Sequence, residues 1–353
     1  MPKALRGVLI PLTVLLLLLL INVIKDVDFL DISNVNGALY GNIPNILFGA
    51  TELVIITIGM TLVTSASGGQ DISVGVVATI TSAVFIQALA AFGPVSWLSV
   101  AGALVVSCAV GALLGLFNGT LVAIFRIQPM VATLILFTAG RSIAFLIDGK
   151  VSPNLKNAVT TQIGGVIPGV PIQTPIILTV VVIAVFAVLF KLTNLRLYTQ
   201  TVGINEKAAR LNGIDPVKVK LLVFVILGIC CAVAGFISVC KNERHDSVNL
   251  LKLIEMDAIL AVALGGNALI GGKFNLPGAI IGAYTIEVLN RTLLRFGISP
   301  DAIKAVKAAF IIFLMIVSSP VVMSLLDKAR GKIAGRLEKS ASDKYGGPKT
   351  EGA

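Results

Sequence analysis

The sequence predicts an all-α membrane protein with about ten transmembrane helices, some of them broken or short. Hydrophobic residues make up 56% of the 353 positions and charged residues only 13%. A soluble fold has too little interior to bury that much apolar surface. In addition, apolar runs of about 20 residues, the length that crosses a hydrocarbon core of about 30 Å, recur along the chain.

Ten candidate spans can be placed on these runs. They lie near residues 7–24, 43–64, 72–93, 97–125, 129–147, 174–190, 217–239, 256–271, 275–290 and 303–326. The eighth and ninth are short and flank a glycine-rich stretch at 265–273. Because irregular backbone at membrane depth must be shielded by protein, we expect broken or re-entrant helices there.

Basic residues predict the orientation, since cytoplasmic loops hold more Lys and Arg. An even number of spans puts both termini on one side. Basic residues concentrate there, with Lys3 and Arg6 at the start, six between 191 and 220, and seven from 328 to 349. Both termini are therefore predicted to be cytoplasmic. The net charge of +10 follows from this topology, and nucleic-acid binding is not needed to explain it.

The two ends of the chain are predicted to differ. Lys3 and Arg6 precede a leucine run at 15–20, as in a secretory signal, but no small-residue cleavage site follows. We therefore expect an uncleaved first span. Residues 1–327 are predicted to form the transmembrane domain, and 328–353 a basic cytoplasmic tail.

A polar, basic segment at 191–222 separates the sixth and seventh spans. Asn205 can cap a two-turn helix in which Glu206 and Arg210 lie one turn apart, and Gly213 can end it in a left-handed turn. Charge patterning alone leaves two interpretations, a docking surface or a solvated loop. We interpret the segment as a docking surface in the cytoplasm.

Motifs for catalysis or metal binding are not apparent. The stretch at 265–273 is not a phosphate-binding loop, because Asn267 stands where that loop needs glycine and Phe274 follows Lys273. His245, the only histidine, has no partner at metal-binding spacing and is expected to be a solvated surface residue. The four cysteines lie in or at the end of apolar runs and are expected to be core residues. We expect no enzyme activity, metal or cofactor in this chain.

Polar and charged side chains inside or beside the apolar runs are candidates for a translocation pathway, because such residues are costly in a membrane. They are Glu52, Asp71, Ser73, Asn118, Gln128, Thr133, Arg141, Asn267 and Glu287. They can line a polar route for a hydroxyl-rich solute, or simply form hydrogen bonds and ion pairs between helices. The glycine patches leave a similar choice between break points and close helix packing.

Four ordered blocks carry a resemblance to a known family. They are GQDISVG at 69–75; 117–119 with 127–134 and 139–141; 203–209 with 213–214; and 263–272. From about 43 to 317 the chain resembles the permease subunits of bacterial ABC sugar importers, which include ribose, galactose, xylose and galactofuranose permeases. The galactofuranose type looks nearest, through 127–134 and 255–262. Gln70 stands where the family usually has isoleucine, so the substrate stays open among pentoses, hexoses, furanoses and nucleosides.

The resemblance implies an assembly in the bacterial cytoplasmic (inner) membrane. An extracytoplasmic sugar-binding protein delivers the solute, two identical or related permeases surrounded by lipid form the pathway, and ATP-binding subunits hold ATP and Mg²⁺. The residues implied to couple to the ATP-binding subunit are Asn205, Glu206, Lys207, Ala208, Ala209, Arg210, Leu211 and Gly213. Among them Glu206, Lys207 and Arg210 would make polar contacts. Ala208, Ala209 and Leu211 would make the packed ones.

The main alternative is an ion-coupled secondary transporter of similar size. Such a protein is expected to carry acidic or histidine relay residues within its helices. Glu52 and Glu287 are the only candidates, and no intramembrane histidine accompanies them. A membrane enzyme is less favoured, because no nucleophile with a base, metal cluster or pair of carboxylates stands out.

Overall fold

The structure, a computed structural model, describes residues 3–35 and 38–317. Fourteen α-helices occur in this part of the chain. They are α1 (Lys3–Lys25), α2 (Asn42–Gly49), α3 (Thr51–Ser67), α4 (Val74–Ala91), α5 (Trp97–Ala123), α6 (Pro129–Ile147), α7 (Ala158–Gly164), α8 (Thr174–Leu192), α9 (Leu195–Ile204), α10 (Glu206–Leu211), α11 (Pro216–Asn242), α12 (Ile254–Leu264), α13 (Leu276–Arg295) and α14 (Pro300–Val317). The predicted helical architecture is confirmed.

A short 3-10 turn and one antiparallel hairpin interrupt the helices. The turn spans Val27–Leu30, and the hairpin pairs β1 (Ile32–Val35) with β2 (Ala38–Gly41). The hairpin links α1 to α2, so it does not change the helical class of the membrane part.

The described residues fall into two units, the first ending at residue 299 and the second beginning at residue 300. The first contains α1 to α13, and the described part of the second is α14. The end of the predicted tenth span, the boundary at residue 327 and the basic tail at 328–353 lie outside the described residues.

Within residues 3–35 and 38–317, five helices are long and apolar enough to cross a membrane, namely α4, α5, α6, α8 and α11. The helices α2 and α3 together qualify as a sixth span, bent by 44° where they meet. The chain is thus a multi-pass membrane protein. The predicted number of about ten spans exceeds what length and composition establish, and it stays a prediction.

The predicted pair of short helices proves to be one short and one long helix. The first, α12, has 11 residues and a length of about 16 Å, too short to cross a bilayer. The second, α13, has 20 residues. They pack closely through small residues, because Gly282 leaves no room for a Cβ beside the Ala261 carbonyl oxygen, nor Gly265 beside Ala279. The 265–275 loop joins them.

The long helix α11 lies at the centre of the first unit, against α3, α4 and α5. Gly228 on α11 and Gly111 on α5 face each other so closely that a Cβ on either would clash with the other's carbonyl oxygen. Gly235 meets the Ala78 carbonyl oxygen on α4 in the same way. These glycines serve close helix packing, one of the two roles that the sequence left open.

The helix α11 also defines two faces of the bundle. Asp215 accepts a hydrogen bond from the Val217 N–H and caps the helix, with Pro216 as its first residue. Its 27 residues extend about 40 Å. We call the face where α11 begins, beside α10, the α10 face. The face where α11 ends, at Asn242, is the opposite face.

Candidate functional site: the α10 face and the loops that join it

The helix α10 has the local structure that the sequence predicts. Asn205 Oδ1 accepts hydrogen bonds from the N–H groups of Lys207 and Ala208, at 3.0 and 3.1 Å. These bonds satisfy two donors in the first turn. Gly213 follows the helix with a φ of +77°, a left-handed conformation that favours glycine. The segment therefore forms a defined two-turn helix.

An ion pair fixes α10 to α11. Glu206 Oε1 pairs with Lys220 Nζ, and the Lys220 side chain is only 12% exposed. In the sequence Arg210 lies one helical turn after Glu206, but the cation that pairs with Glu206 is Lys220, on the next long helix. Arg210 is exposed instead. The helix α10 and the long central helix α11 are thereby held together.

The predicted coupling residues divide into an inner and an outer group. Ala209 is fully buried in its own chain, because α10 lies against α9 and α11. Leu211 is 90% exposed, and Lys207 and Arg210 are exposed as well. Ala208 is half-buried. Ala209 was predicted to pack against a docked domain, and its side chain is already covered within this chain, whereas Glu206, Lys207, Arg210 and Leu211 are exposed.

The turn before α10 contacts two distant parts of the chain. The Gly272 N–H donates a hydrogen bond to the Ser65 carbonyl oxygen at 2.9 Å. Gly203 fits between them, since a Cβ there would clash with both the Ser65 oxygen and the Gly272 nitrogen. Ile204 packs on Gly272. The end of α3, the turn before α10 and the 265–275 loop thus form one junction, which we call the glycine junction.

The loop at 69–75 joins the same region. Gln70 Nε2 donates a hydrogen bond to the Leu269 carbonyl oxygen at 2.8 Å. The residue that departs from the usual family pattern is thus the one that ties the first sequence block to the fourth. The Ile72 N–H donates to Thr133 Oγ1 at 3.1 Å, which ties the first block to the second.

Asp71, Ser73 and Asn118 form a buried polar cluster. Asp71 Oδ1 accepts from the Ser73 N–H at 2.7 Å and from Ser73 Oγ at 2.6 Å. Asn118 Nδ2 donates to Asp71 Oδ2 at 3.1 Å and to Ser73 Oγ at 2.9 Å. Asn118 Oδ1 is buried without a hydrogen-bond partner among the described residues. The cluster holds α5 to the start of α4.

Asn267 braces the loop in which it lies. Its Oδ1 accepts from the Asn275 N–H at 2.6 Å, and its Nδ2 donates to the carbonyl oxygens of Val262 and Asn275, both at 3.1 Å. The loop therefore keeps a fixed shape.

Gln128 is exposed and lines a cavity of about 240 Å³ that Glu206 and Arg210 also line. Of the pathway candidates, Gln128 is the one placed directly beside α10.

Glu52 and Glu287 lie towards the opposite face, and each is paired. Lys241 Nζ, in the last turn of α11, lies 2.9 Å from Glu52 Oε2. Arg291 Nε lies 2.6 Å from Glu287 Oε1, and Arg291 Nη2 donates to the Asn45 carbonyl oxygen at 2.6 Å. Both carboxylates thus follow the pairing alternative that the sequence left open.

Arg141 supports irregular backbone. Its Nη1 donates to the carbonyl oxygens of Ser247, Val248 and Leu250 at 3.2, 3.0 and 3.1 Å. These residues belong to the 243–253 segment between α11 and α12, which forms no helix. Because unpaired carbonyl groups are costly inside a membrane protein, a guanidinium group is a suitable brace. Arg141 is engaged with backbone here.

His245 was expected to be a solvated surface residue, and that expectation was wrong. It is fully buried, with Nδ1 2.5 Å from Asp148 Oδ2 and Nε2 3.0 Å from Ser82 Oγ. Asp148 also accepts a hydrogen bond from Ser247 Oγ at 2.8 Å. Asp148 precedes the histidine by 97 residues, so spacing did not reveal the pair. The only signal was an acidic residue just after an apolar run.

Comparison with known families decides what kind of membrane protein this is. A family model described as branched-chain amino acid transport system, permease component, matches residues 42–319. The chain belongs to this permease family. No solved structure matches it. As a member of a permease family, the chain is a transport component rather than an enzyme.

The permease has sugar-import relatives along most of its length. The galactofuranose transporter permease protein YtfT of Escherichia coli (strain K12) is 37% identical over 324 residues, 91% of this chain and 92% of that protein. The fructose import permease protein FruF of Bifidobacterium longum (strain NCC 2705) is 33% identical over 333 residues, 92% and 91% of the two chains. The ribose import permease protein RbsC of Escherichia coli (strain K12) is 33% identical over 282 residues, 79% and 85%. The predicted resemblance to sugar permeases is confirmed.

Proposed function

We propose that this chain is the membrane-spanning permease subunit of an ATP-driven importer for a monosaccharide. The observation that carries the proposal is the match, over nine-tenths of this chain, to permeases named for galactofuranose and fructose. The family description names branched-chain amino acids. The named relatives favour a pentose or hexose, furanose forms included, over an amino acid.

The proposed assembly has further subunits. A separate ATP-binding subunit holds ATP and Mg²⁺ and docks on Lys207, Arg210 and Leu211, three of the exposed residues of α10. An extracytoplasmic binding protein delivers the sugar. A second permease, identical or related, completes the pathway within the lipid, and no nucleic acid takes part. The chain itself binds no cofactor and catalyses no reaction.

The proposed topology has about ten spans in a bacterial cytoplasmic membrane, with both termini in the cytoplasm. Its support is the agreement between helix positions and the ten apolar runs, with α2 and α3 as one span and α12 with its flanking segments as another. The basic residues on and around α9 and α10 favour a cytoplasmic location for the α10 face. The residues at 328–353 form a basic tail on the same side.

Coupling is proposed to pass through the glycine junction. When the ATP-binding subunits close, α10 moves with them, and the ion pair of Glu206 with Lys220 carries α11 along. Contact of Gly203 with Ser65 and Gly272 passes the movement to α3 and to the 265–275 loop. ATP binding then shifts the population between two arrangements of the bundle.

The ion-coupled alternative has less support in the structure. A relay carboxylate is expected to be open to an ion or proton pathway, whereas Glu52 and Glu287 are each engaged in an ion pair, with Lys241 and Arg291. Nucleosides would use the same assembly, so they remain an alternative substrate within the proposed class.

The first test is purification of the tagged chain from its native membrane in mild detergent, followed by an ATPase assay and mass spectrometry. The proposal expects an ATP-binding subunit in the preparation and vanadate-sensitive hydrolysis. Reconstitution with D-ribose, D-fructose, D-galactose and a nucleoside would then define the solute. A chain that purifies without ATPase, and that moves solute only with an ion gradient, would overturn the proposal.

A further inference from the structure

The 243–253 segment presents polar side chains around a cavity on the opposite face. The cavity has a volume of about 320 Å³ and is lined by Asn242, Arg244, Asp246, Asn249, Leu250 and Leu251. Pockets for small ligands begin at about 300 Å³. No other role assigned above uses these side chains.

Hydrogen bonds from neighbouring elements fix the 243–253 segment, which forms most of the wall of this cavity. Arg141 bonds three carbonyl groups of the segment, and His245 and Ser247 are anchored to Asp148. From the side, the Leu155 N–H donates to the Glu243 carbonyl oxygen at 2.9 Å. A segment fixed at so many points keeps its shape without a ligand.

Backbone strain is concentrated in the same segment. Glu243, Leu251 and Leu253 have φ values of +51°, +48° and +68°, although none is glycine. Left-handed conformations of such residues persist only where the surroundings enforce them, and they cluster at binding sites. The strain and the buried anchors together describe a preorganised surface, which lowers the entropic cost of binding.

The side chains at the rim suit a neutral, hydroxyl-rich ligand. Asp246 accepts hydrogen bonds from the Val248 and Asn249 N–H groups and from Asn249 Nδ2, which orients the Asn249 amide. Arg244 offers donors, Asp246 offers acceptors, and asparagine offers both. The charges of Arg244 and Asp246 offset each other. Hydroxyl groups donate and accept, whereas an anion or cation needs an excess of one charge.

We propose that this cavity is a monosaccharide-binding site at the mouth of the permease, in which Arg244 and Asn249 bond sugar hydroxyl groups and Leu250 and Leu251 contact the ring. The inference rests on the proposed function, since it takes its ligand class from there. It adds a sugar site on the permease itself, separate from the binding protein. The site selects polyols as they enter the pathway.

The test measures occupancy directly. Asn242→Cys places a thiol on an exposed residue that lines the cavity but is not assigned to the sugar. The native Cys230, Cys231 and Cys240 are buried, and the half-buried Cys108 is removed by Cys108→Ser. The intact complex is labelled with a membrane-impermeant maleimide, with and without D-ribose, D-fructose or D-galactose at millimolar concentration. We expect at least one sugar to slow labelling about threefold or more, in proportion to occupancy. Lys252→Cys, on an exposed residue of the segment that does not line the cavity, is the control and should show no protection.

A second measurement separates this inference from the proposed function. Arg244→Gln and Asn249→Ala should each raise the KM for uptake about tenfold, while the amount of ATP-binding subunit recovered with the permease stays unchanged. Lys252→Gln should leave the KM unchanged. If the wild-type complex imports a sugar, but no sugar protects position 242 and both variants keep a normal KM, the inference is overturned while the proposed function stands. Protection by the binding protein alone would also overturn it, because the face would then be a protein-docking surface. A wild-type complex that imports none of the sugars overturns the proposed function itself.

Discussion

The backbone N–H of Gly272 donates to the carbonyl oxygen of Ser65 at 2.9 Å, across 207 residues of sequence. The bond joins the loop between α12 and α13 to the end of α3, and Gly203 lies against both atoms that form it. A backbone contact this close tolerates no side chain. The glycine junction therefore links the docking helix to the rest of the bundle through main-chain atoms.

We expect Gly203→Ala to uncouple ATP hydrolysis from uptake. The new Cβ clashes with the Ser65 oxygen and the Gly272 nitrogen, so the turn before α10 must separate from the 265–275 loop. Uptake should fall about tenfold or more, the size expected for a misplaced catalytic or coupling element, while ATPase activity persists. The measurement is uptake per ATP hydrolysed in proteoliposomes.

Gly102→Ala is the matched control for that variant. Gly102 lies within α5, where a Cβ would meet only the Phe92 ring, at 3.3 Å. Alanine is also the better helix former there. Its transport should equal that of the wild type. An unchanged ratio of uptake to hydrolysis in Gly203→Ala would show that the glycine junction does not carry coupling.

We expect Leu211→Glu to weaken binding of the ATP-binding subunit without unfolding the permease. Leu211 is 90% exposed, so a charge there costs the isolated chain little but would be desolvated in a docked interface. Ala209→Glu provides the contrast, since position 209 is fully buried and the charge should lower the folded yield of the chain. One pull-down measures both the yield of folded permease and the amount of ATP-binding subunit recovered per permease. Equal recovery of the partner with Leu211→Glu would remove Leu211 from the interface.

Local sequence signals predicted the parts of the structure that depend on neighbouring residues. The Asn205 cap and the Gly213 turn are set within a few residues, and the structure has both. The ion-pair partner of Glu206 was not predicted, because Lys220 lies 14 residues away on another helix. Which of several nearby cations pairs with a carboxylate depends on how helices pack, which a single sequence does not encode locally.

The partners of Arg141 and His245, inside the helical bundle, were harder to predict for the same reason. Hydropathy marked Arg141 as an intramembrane charge, but its acceptors are carbonyl groups about 106 residues away. His245 is polar by composition and sits in a polar stretch, and only the path of the 243–253 segment buries it. Sequence patterns identified the costly groups. Their partners follow from tertiary structure.

We expect Arg141→Leu to destabilise the fold rather than to alter substrate choice. The substitution leaves the carbonyl groups of Ser247, Val248 and Leu250 without this donor, at about 1–3 kcal/mol for each group that finds no other. The apparent Tm in detergent should fall by several degrees, with a lower folded yield. Arg196→Leu, at an exposed position on α9, should leave both unchanged. A wild-type Tm for Arg141→Leu would contradict the bracing role.

The pairing of Glu52 with Lys241 predicts both a stability pattern and an energy source. Removing one partner of a buried ion pair costs about 3–5 kcal/mol, because the other charge stays buried and uncompensated, whereas replacing both with apolar groups costs much less. Glu52→Gln should therefore lower the apparent Tm, and Glu52→Leu combined with Lys241→Met should recover most of the loss. The same double variant tests the energy source. If Glu52 were part of a proton relay, the double variant would lose transport. Uptake by the double variant in proteoliposomes, with an ionophore present and ATP supplied, should stay near the wild-type rate. If the double variant is as stable as the wild type but no longer takes up sugar, Glu52 takes part in ion coupling and the ion-driven transporter is favoured.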